Sequence, residues 1–300
     1  MASKLVGFFW NKIVATNDKK RMAKQQKPSG VDEICDIAYN EDCNKHHLLD
    51  IYRKAGDTKK LPTIIDIHGG GWYYGDKELN KNYAMTLAKG GFAVVCISYR
   101  LAPNAKCSQQ IKDCADAVNF VFDNAEKYNL DKNNIFITGD SAGGHLSAMM
   151  TNLVSSERAQ RYFGVKLKGK FNAVCYTCPC LELATLAHKR MIGIYCNPMF
   201  DRGYRKDKEL ANYNFSTNLD GNKCPSFFIS AYADMMKNQT KKGYELVKSK
   251  GIPVVMSFLD KPLIDGHKLT HVFNVLYPEW EESAIVNNEM LDFFKQYLTK

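Results

Sequence analysis

A chain of 300 residues, 45% hydrophobic and 24% charged, has the composition of an ordinary soluble globular protein, long enough for one large domain or two small ones. That excludes a disordered, collagen-like or repetitive chain, and no stretch approaches the roughly 18 continuous apolar residues a membrane span needs. Of the net charge of +9, +6 lies in residues 1–30, where Lys4, Lys12, Lys19, Lys20, Arg21, Lys24 and Lys27 stand against Asp18.

The opening run LVGFFW is shorter than the apolar core of a secretion signal, so the protein is read as cytoplasmic. Leu5, Phe9 and Ile13, with Val6, Trp10 and Val14 beside them, predict a helix with a wide apolar face. The stretch DKKRMAKQQKPSG after it reads as a polar linker. A basic tail of this kind can attract nucleic acid or acidic lipid. With no motif for reading bases beside it, and with a solvated helix and linker accounting for the charge, neither nucleic-acid binding nor stable membrane insertion is expected.

From residue 34 the pattern turns strand-like: ICDIAY, HLLDIY and PTIIDI. FAVVCIS (92–98) is apolar throughout, as a parallel strand buried on both faces should be. Residues 109–128 carry apolar positions three and four apart and predict a helix. NIFIT (134–138) is a strand and SAGGHLSAMMTNLV a helix; FNAVCYTC, SFFISAY and PVVMSFL are later strands, with helices at TKKGYELVKSKG and NNEMLDFFKQYL. Strand and helix in alternation predict an α/β chain, a parallel sheet covered on both sides. Residues 181–220 break the rhythm where a short crossover would do, and predict a lid over the carboxyl ends of the strands rather than a separate domain.

Ten cysteines scattered through a chain with a full-sized core read as reduced thiols rather than a disulfide framework. CYTCPC (175–180) invites a zinc reading, but zinc sites need about four ligands, and no second cluster stands near it in sequence. Buried thiols are the better reading, and neither metal nor cofactor is expected.

Chemistry enters at GDSAGGHL (139–146). Ser141 follows a strand and opens a helix, with Gly139 and Gly143 two residues to either side. A reversal this sharp forces strained backbone at the turn residue and crowds its neighbours; glycine relieves the crowding, and the serine oxygen projects above the sheet. The N–H of Ala142 then lies at a helix start, where partial positive charge accumulates. A second glycine turn, HGGGW (68–72), follows PTIIDI. Bare N–H groups there, with that of Ala142, would form an oxyanion hole for an attacked carbonyl.

HGGGW, SYRLAP (98–103) and GDSAGG (139–144) together resemble the hormone-sensitive-lipase-like esterases, the bacterial family IV type, of the α/β-hydrolase superfamily. The resemblance covers roughly residues 34–295. It implies an α/β-hydrolase fold: a mostly parallel eight-stranded sheet with helices on both faces and a helical cap. The whole of 1–300 would be a single domain, with cap elements at approximately 1–30 and 181–220. It also implies Gly70, Gly71 and Ala142 as oxyanion donors, and His68 as the residue that orders the glycine loop.

A serine needs a neutral imidazole to take its proton, and in this fold acid and histidine follow the serine in chain order. Asp234 stands just past a strand and matches the family's D-P-L position, with Met235 and Met236 replacing Pro-Leu; Asp260 and Asp265 are rivals. His271 matches the H-G-F position, with valine for glycine, and His267 is its rival. His46, His47, His145 and His188 read as surface or packing residues, and Asp140 as structural. Phe8, Trp10, Trp72 and Tyr73 suit a substrate pocket and the core equally.

The sequence therefore points to a serine carboxylic ester hydrolase acting on small or short-chain acyl esters, with Ser141, His271 and Asp234 as triad. The alternatives are a carbohydrate-directed acetyl or feruloyl esterase and a non-catalytic ligand-binding member of the fold. The expected partner is a small-molecule ester, and a homo-oligomer is left open.

Overall fold

The structure, a computed structural model, describes residues 9–299. Leu5 and Val6 of the expected apolar helix, and the first part of the expected N-terminal cap element, lie outside those residues. The chain enters through a π-helical turn, Phe9–Val14, and helix α1, Ala15–Met22. The helix thus runs into the stretch read as a linker. Its inner face is polar but partnered: Arg21 Nη1 and Gln25 Nε2 both donate to the Leu276 carbonyl at 2.7 Å. Gln25 also reaches Glu279 at 3.0 Å. Asp18, Arg21, Met22 and Gln25 recur three or four apart on this face, whereas Lys19, Lys20 and Lys24 are exposed. Apolar periodicity is blind to a helix that docks by hydrogen bonds.

Strands β1 (Val31–Ala38), β2 (Leu48–Lys54) and β3 (Leu61–Ile67) follow, then α2 (Lys81–Ala88), β4 (Ala93–Ile97), α3 (Cys107–Asn124) and β5 (Leu130–Asp140). Next come α4 (Ala142–Ser155), α5 (Glu157–Phe163), β6 (Val174–Thr177), α6 (Leu183–Ala187) and α7 (Arg190–Cys196). Short 3-10 turns between Asn197 and Asn218 lead to β7 (Ser226–Ala231), α8 (Lys237–Ser249), β8 (Val254–Leu259), α9 (Phe273–Leu276) and α10 (Glu281–Lys295).

The eight strands form one sheet in the order β1-β2-β4-β3-β5-β6-β7-β8. β2 runs antiparallel to both β1 and β4, and every other pair is parallel. β4, β6 and β7 are buried along their whole length, and β4 accordingly reads as a continuous apolar run. One face of the sheet packs on Ile111 and Val118 of α3, Leu146 and Met149 of α4, and Val247 of α8. The other packs on Tyr83 and Leu87 of α2 and on Met290 and Phe294 of α10. Leu183, Met199, Phe200 and Phe215, from the inserted region, join the same cluster as Leu146 and Ile65.

β3 and β5 are neighbours, and the connection leaving β3 runs to α2 on one face while that leaving β5 runs to α4 on the other, so a crevice opens at their carboxyl ends. HGGGW and Ser141 both emerge there. Among the described residues no helix is long and apolar enough to cross a membrane. All ten cysteines are free thiols.

Replacing Arg21 and Gln25 together by Ala removes both donors to Leu276. The expected cost is about 1–3 kcal/mol of stability, with faster amide exchange in α1 and α9 alike. Unchanged exchange in α9 would contradict the clamp.

Candidate active site

Ser141 stands between β5 and α4 with φ 53 and ψ −112, backbone that an L-residue holds only under constraint. The constraint is visible. Its N–H donates to the Thr177 carbonyl at 2.9 Å, and its own carbonyl accepts from Cys180 N–H at 3.1 Å. A β-carbon on Gly143 would overlap the carbonyl oxygen of Ile67, the last residue of β3, so the first turn of α4 seats against that strand only because glycine is there.

Above this turn His271 bridges two groups. Its Nε2 lies 2.8 Å from Ser141 Oγ, and its Nδ1 lies 2.6 Å from Asp234 Oδ1. Asp234 follows β7 and is buried, while His271, between β8 and α9, keeps 18% of its side chain exposed. Burial alone would raise the Asp234 carboxyl. The hydrogen bond and charge of His271, with the Ser230 hydroxyl and the Met236 amide, outweigh burial and hold it below the ordinary carboxylate value. A carboxylate facing Nδ1 fixes the proton there and leaves Nε2 bare toward the hydroxyl.

The glycine loop is held one peptide plane at a time. His68 Nδ1 donates to the Gly69 carbonyl at 2.8 Å, joined by the Tyr99 hydroxyl at 3.3 Å, and this fixes the peptide carrying the N–H of Gly70. The Gly70 carbonyl accepts from Tyr73 N–H and Tyr74 N–H, each at 3.1 Å, and this fixes the peptide carrying the N–H of Gly71. His68 is buried and stacked on Tyr99 at 4.4 Å; burial pulls it down to about 4, so the ring is neutral. Gly70 has φ 96, and a β-carbon there would strike the Tyr74 carbonyl.

Beneath the loop, Asp140 Oδ1 accepts from Gly69 N–H and from Asn80 Nδ2, both at 2.9 Å. Asn80 also reaches Asp66 at 3.0 Å. Burial raises Asp140, and burial with the charge of Asp140 raises Asp66 to about 8. Asp140, though next to the serine in sequence, is turned away from it.

A BD-FAE family model matches residues 49–243, more than half of the chain. The chain belongs to the BD-FAE family. Esterase B from Lactobacillus rhamnosis superposes with a TM-score of 0.90 at 30% identity, over 99% of this chain and 96% of that one. The putative alpha/beta hydrolase R526 of Acanthamoeba polyphaga mimivirus is 34% identical over 37% of this chain and 33% of its own length. Esterase LipC of Mycobacterium tuberculosis is 35% identical over 38% of this chain and 28% of its own length. The chain thus spans about a third or less of those two curated relatives. The fold is the α/β-hydrolase fold, and the relatives are the hormone-sensitive-lipase-like esterases to which the motifs pointed.

Within this BD-FAE member the rival residues have other partners. His267 pairs through Nδ1 with Glu282 Oε2 at 2.9 Å and stacks on Trp280 at 3.9 Å. Asp260 and Asp265 are exposed. His145 is a packing residue: buried, it bonds the Tyr213 carbonyl through Nε2 at 2.8 Å. His188 is exposed, and His47 pairs with Asp42. Trp72 and Tyr73 are buried in the core cluster; Phe8 and the side chain of Trp10 lie outside the described residues.

Two supports carried no sequence signal. The Tyr195 hydroxyl, from α7 in the inserted region, donates to the Gly71 carbonyl at 2.5 Å, and the Tyr73 hydroxyl donates to the Tyr195 carbonyl at 2.7 Å. Trp72, next along, has φ 67, so this latch secures the peptide leading into strained backbone. Glu282 is the other. Fully buried, it accepts from Leu263 N–H at 2.9 Å and Ile264 N–H at 3.1 Å as well as from His267, and so pins the loop that carries His271. These donors outweigh burial and bring it to about 2. Only a pair of tyrosines and a late His and Glu mark these contacts in sequence, and nothing local joins them.

Tyr195→Phe should lower kcat of ester turnover several-fold with KM little changed, and the melting temperature should barely move; an unchanged kcat would make the latch mere packing. Glu282→Gln should cost about 1–3 kcal/mol at neutral pH. A glutamate held down when folded stabilises the fold fully above its ordinary 4.5, and that contribution fades as pH falls toward 2. Acid titration of stability should therefore show this slope in the parent and a weaker one in the variant; equal slopes would contradict the pair.

Proposed function

We propose that the protein is a carboxylic ester hydrolase that acts on small or short-chain acyl esters by acyl transfer through Ser141, His271 and Asp234. The observation that carries this reading is the His271 ring spanning 2.8 Å to Ser141 Oγ on one side and 2.6 Å to the Asp234 carboxylate on the other. Ser141 Oγ attacks the ester carbonyl while Nε2 takes its proton, and Asp234 stabilises the imidazolium that forms. The charge on the carbonyl oxygen is met by the N–H groups of Gly70, Gly71 and Ala142, the last at the positive start of α4. The alcohol leaves on the proton from Nε2. A water then attacks the acyl carbonyl and gives its proton to Nε2, which passes it to the departing Ser141 Oγ as the acid is freed. Residues 181–220 and the N-terminal helix serve as the cap over this centre.

Support for a short acyl chain comes from esterase B, which is described with a C4-C4 SN3 tributyrin phosphonate as inhibitor. The ten unpaired cysteines suit a reducing compartment such as the cytoplasm.

Ser141→Ala should lower kcat on a nitrophenyl butyrate by roughly 10⁴–10⁶ and abolish labelling by a fluorophosphonate, with the thermal transition intact. Turnover retained by that variant would overturn the reading.

A further inference from the structure

Three side chains of different chemistry meet behind the His271 ring. Cys178, just past β6, takes the N–H of Val272 on its Sγ at 3.4 Å. One donor atom each from Cys178, Asp234 and His271 falls within 4.8 Å of the other two. Among the described residues this is the one cluster of three such donors close enough to share an ion. Cys178 and Asp234 are buried, and His271 opens the cluster to solvent on the side of the candidate active site. Acyl transfer makes no use of the thiol. Read in sequence, CYTCPC lacked partners; the fold supplies them from residues 56 and 93 positions further along the chain.

Thiolate, imidazole and carboxylate are donors that zinc-type cations accept together, at about 2.0–2.3 Å and in tetrahedral array. Such donors stand about 3.3–3.8 Å apart, so the present spread closes with a modest swing of the ring and the thiol. We propose that Cys178, Asp234 and His271 form an inhibitory site for a thiophilic divalent cation such as Zn²⁺, with water completing the shell.

The inference rests on the reading of His271 as the base, and the protons balance as follows. The cation takes Cys178 as thiolate, whose proton passes to solvent. It takes the His271 ring at Nδ1, and the ring stays neutral by carrying its one proton on Nε2 instead. One dication enters and one proton leaves. Nε2 now presents an N–H to Ser141 Oγ and can no longer accept the hydroxyl proton, so the serine is left unactivated.

The test uses Cd²⁺ and the full chain carrying Cys35→Ser and Cys43→Ser, which removes the two exposed thiols. Cd²⁺ is titrated while the ultraviolet thiolate-to-cadmium band and nitrophenyl butyrate turnover are followed together. The expected result is one ion per chain, with band and inhibition rising in step and reversed by a chelator. Adding Cys178→Ser should remove the band and weaken inhibition by about 100-fold. Cys178→Ala is made alongside, in case one replacement disturbs folding, and circular dichroism reports on both. Ser141→Ala should bind Cd²⁺ as its parent does. A Cd²⁺ band that depends on Cys178 in a protein without turnover would sink the esterase reading and leave the site standing. Turnover inhibited equally in the parent and the folded Cys178 variants, or a parent without the band, would overturn the site.

Discussion

The rest of the structure depends on how tightly the first turn of α4 seats against the end of β3. Gly143 meets the Ile67 carbonyl where no side chain fits, and this contact draws Ser141 into left-handed backbone above the sheet. Because the strand it touches is the one that runs into His68–Trp72, the same contact sets the spacing between the serine and the glycine loop. Because β6 is the next strand, its Thr177 carbonyl can take the serine N–H and hold the strained turn closed. The histidine has only to be delivered to this fixed point.

The buried acids around that point are kept in different states by their surroundings. Asp234 receives a ring N–H, a hydroxyl and a main-chain amide, and stays ionised despite burial. Asp66 has only the shared Asn80 amide and a distant thiol, and with Asp140 nearby it is raised to about 8. At neutral pH, then, the Asp66–Asn80–Asp140 cluster holds a proton on Asp66, which limits like-charge repulsion beneath Gly69. The negative charge facing the His271 ring is left to the Asp234 carboxylate.

Much of the sheet and the serine turn was legible because their signals are local. β4 is buried on both faces and reads as an unbroken apolar run; the glycines of the serine turn and of HGGGW answer to crowding within a few residues. The pairing of His271 with Asp234 and Ser141 was legible only through chain order and resemblance, since separations of 37 and 130 positions leave no periodic trace. The Tyr195 latch, the Glu282 anchor and the docking of Arg21 on Leu276 were not legible. Each is a hydrogen bond to a main-chain group, and a main-chain group looks alike in every sequence. The part of the helix Ala15–Met22 from Asp18 on was read as linker on the same account, its inner face being polar and satisfied rather than apolar. His267 was the rival of His271, and the structure separates them: His267 pairs with buried Glu282, whereas His271 lies between Asp234 and Ser141.

The central claim is that Ser141 Oγ, activated by His271, works opposite the amides of the glycine loop. A crystal structure of the protein inactivated by a short-chain alkyl phosphonate tests this most directly. The account predicts phosphorus bonded to Ser141 Oγ, with one phosphoryl oxygen about 2.7–3.1 Å from the N–H groups of Gly70, Gly71 and Ala142. His271 Nε2 would then lie within hydrogen-bonding reach of the adduct. Phosphorus on another residue, or a phosphoryl oxygen turned to solvent away from those amides, would contradict it.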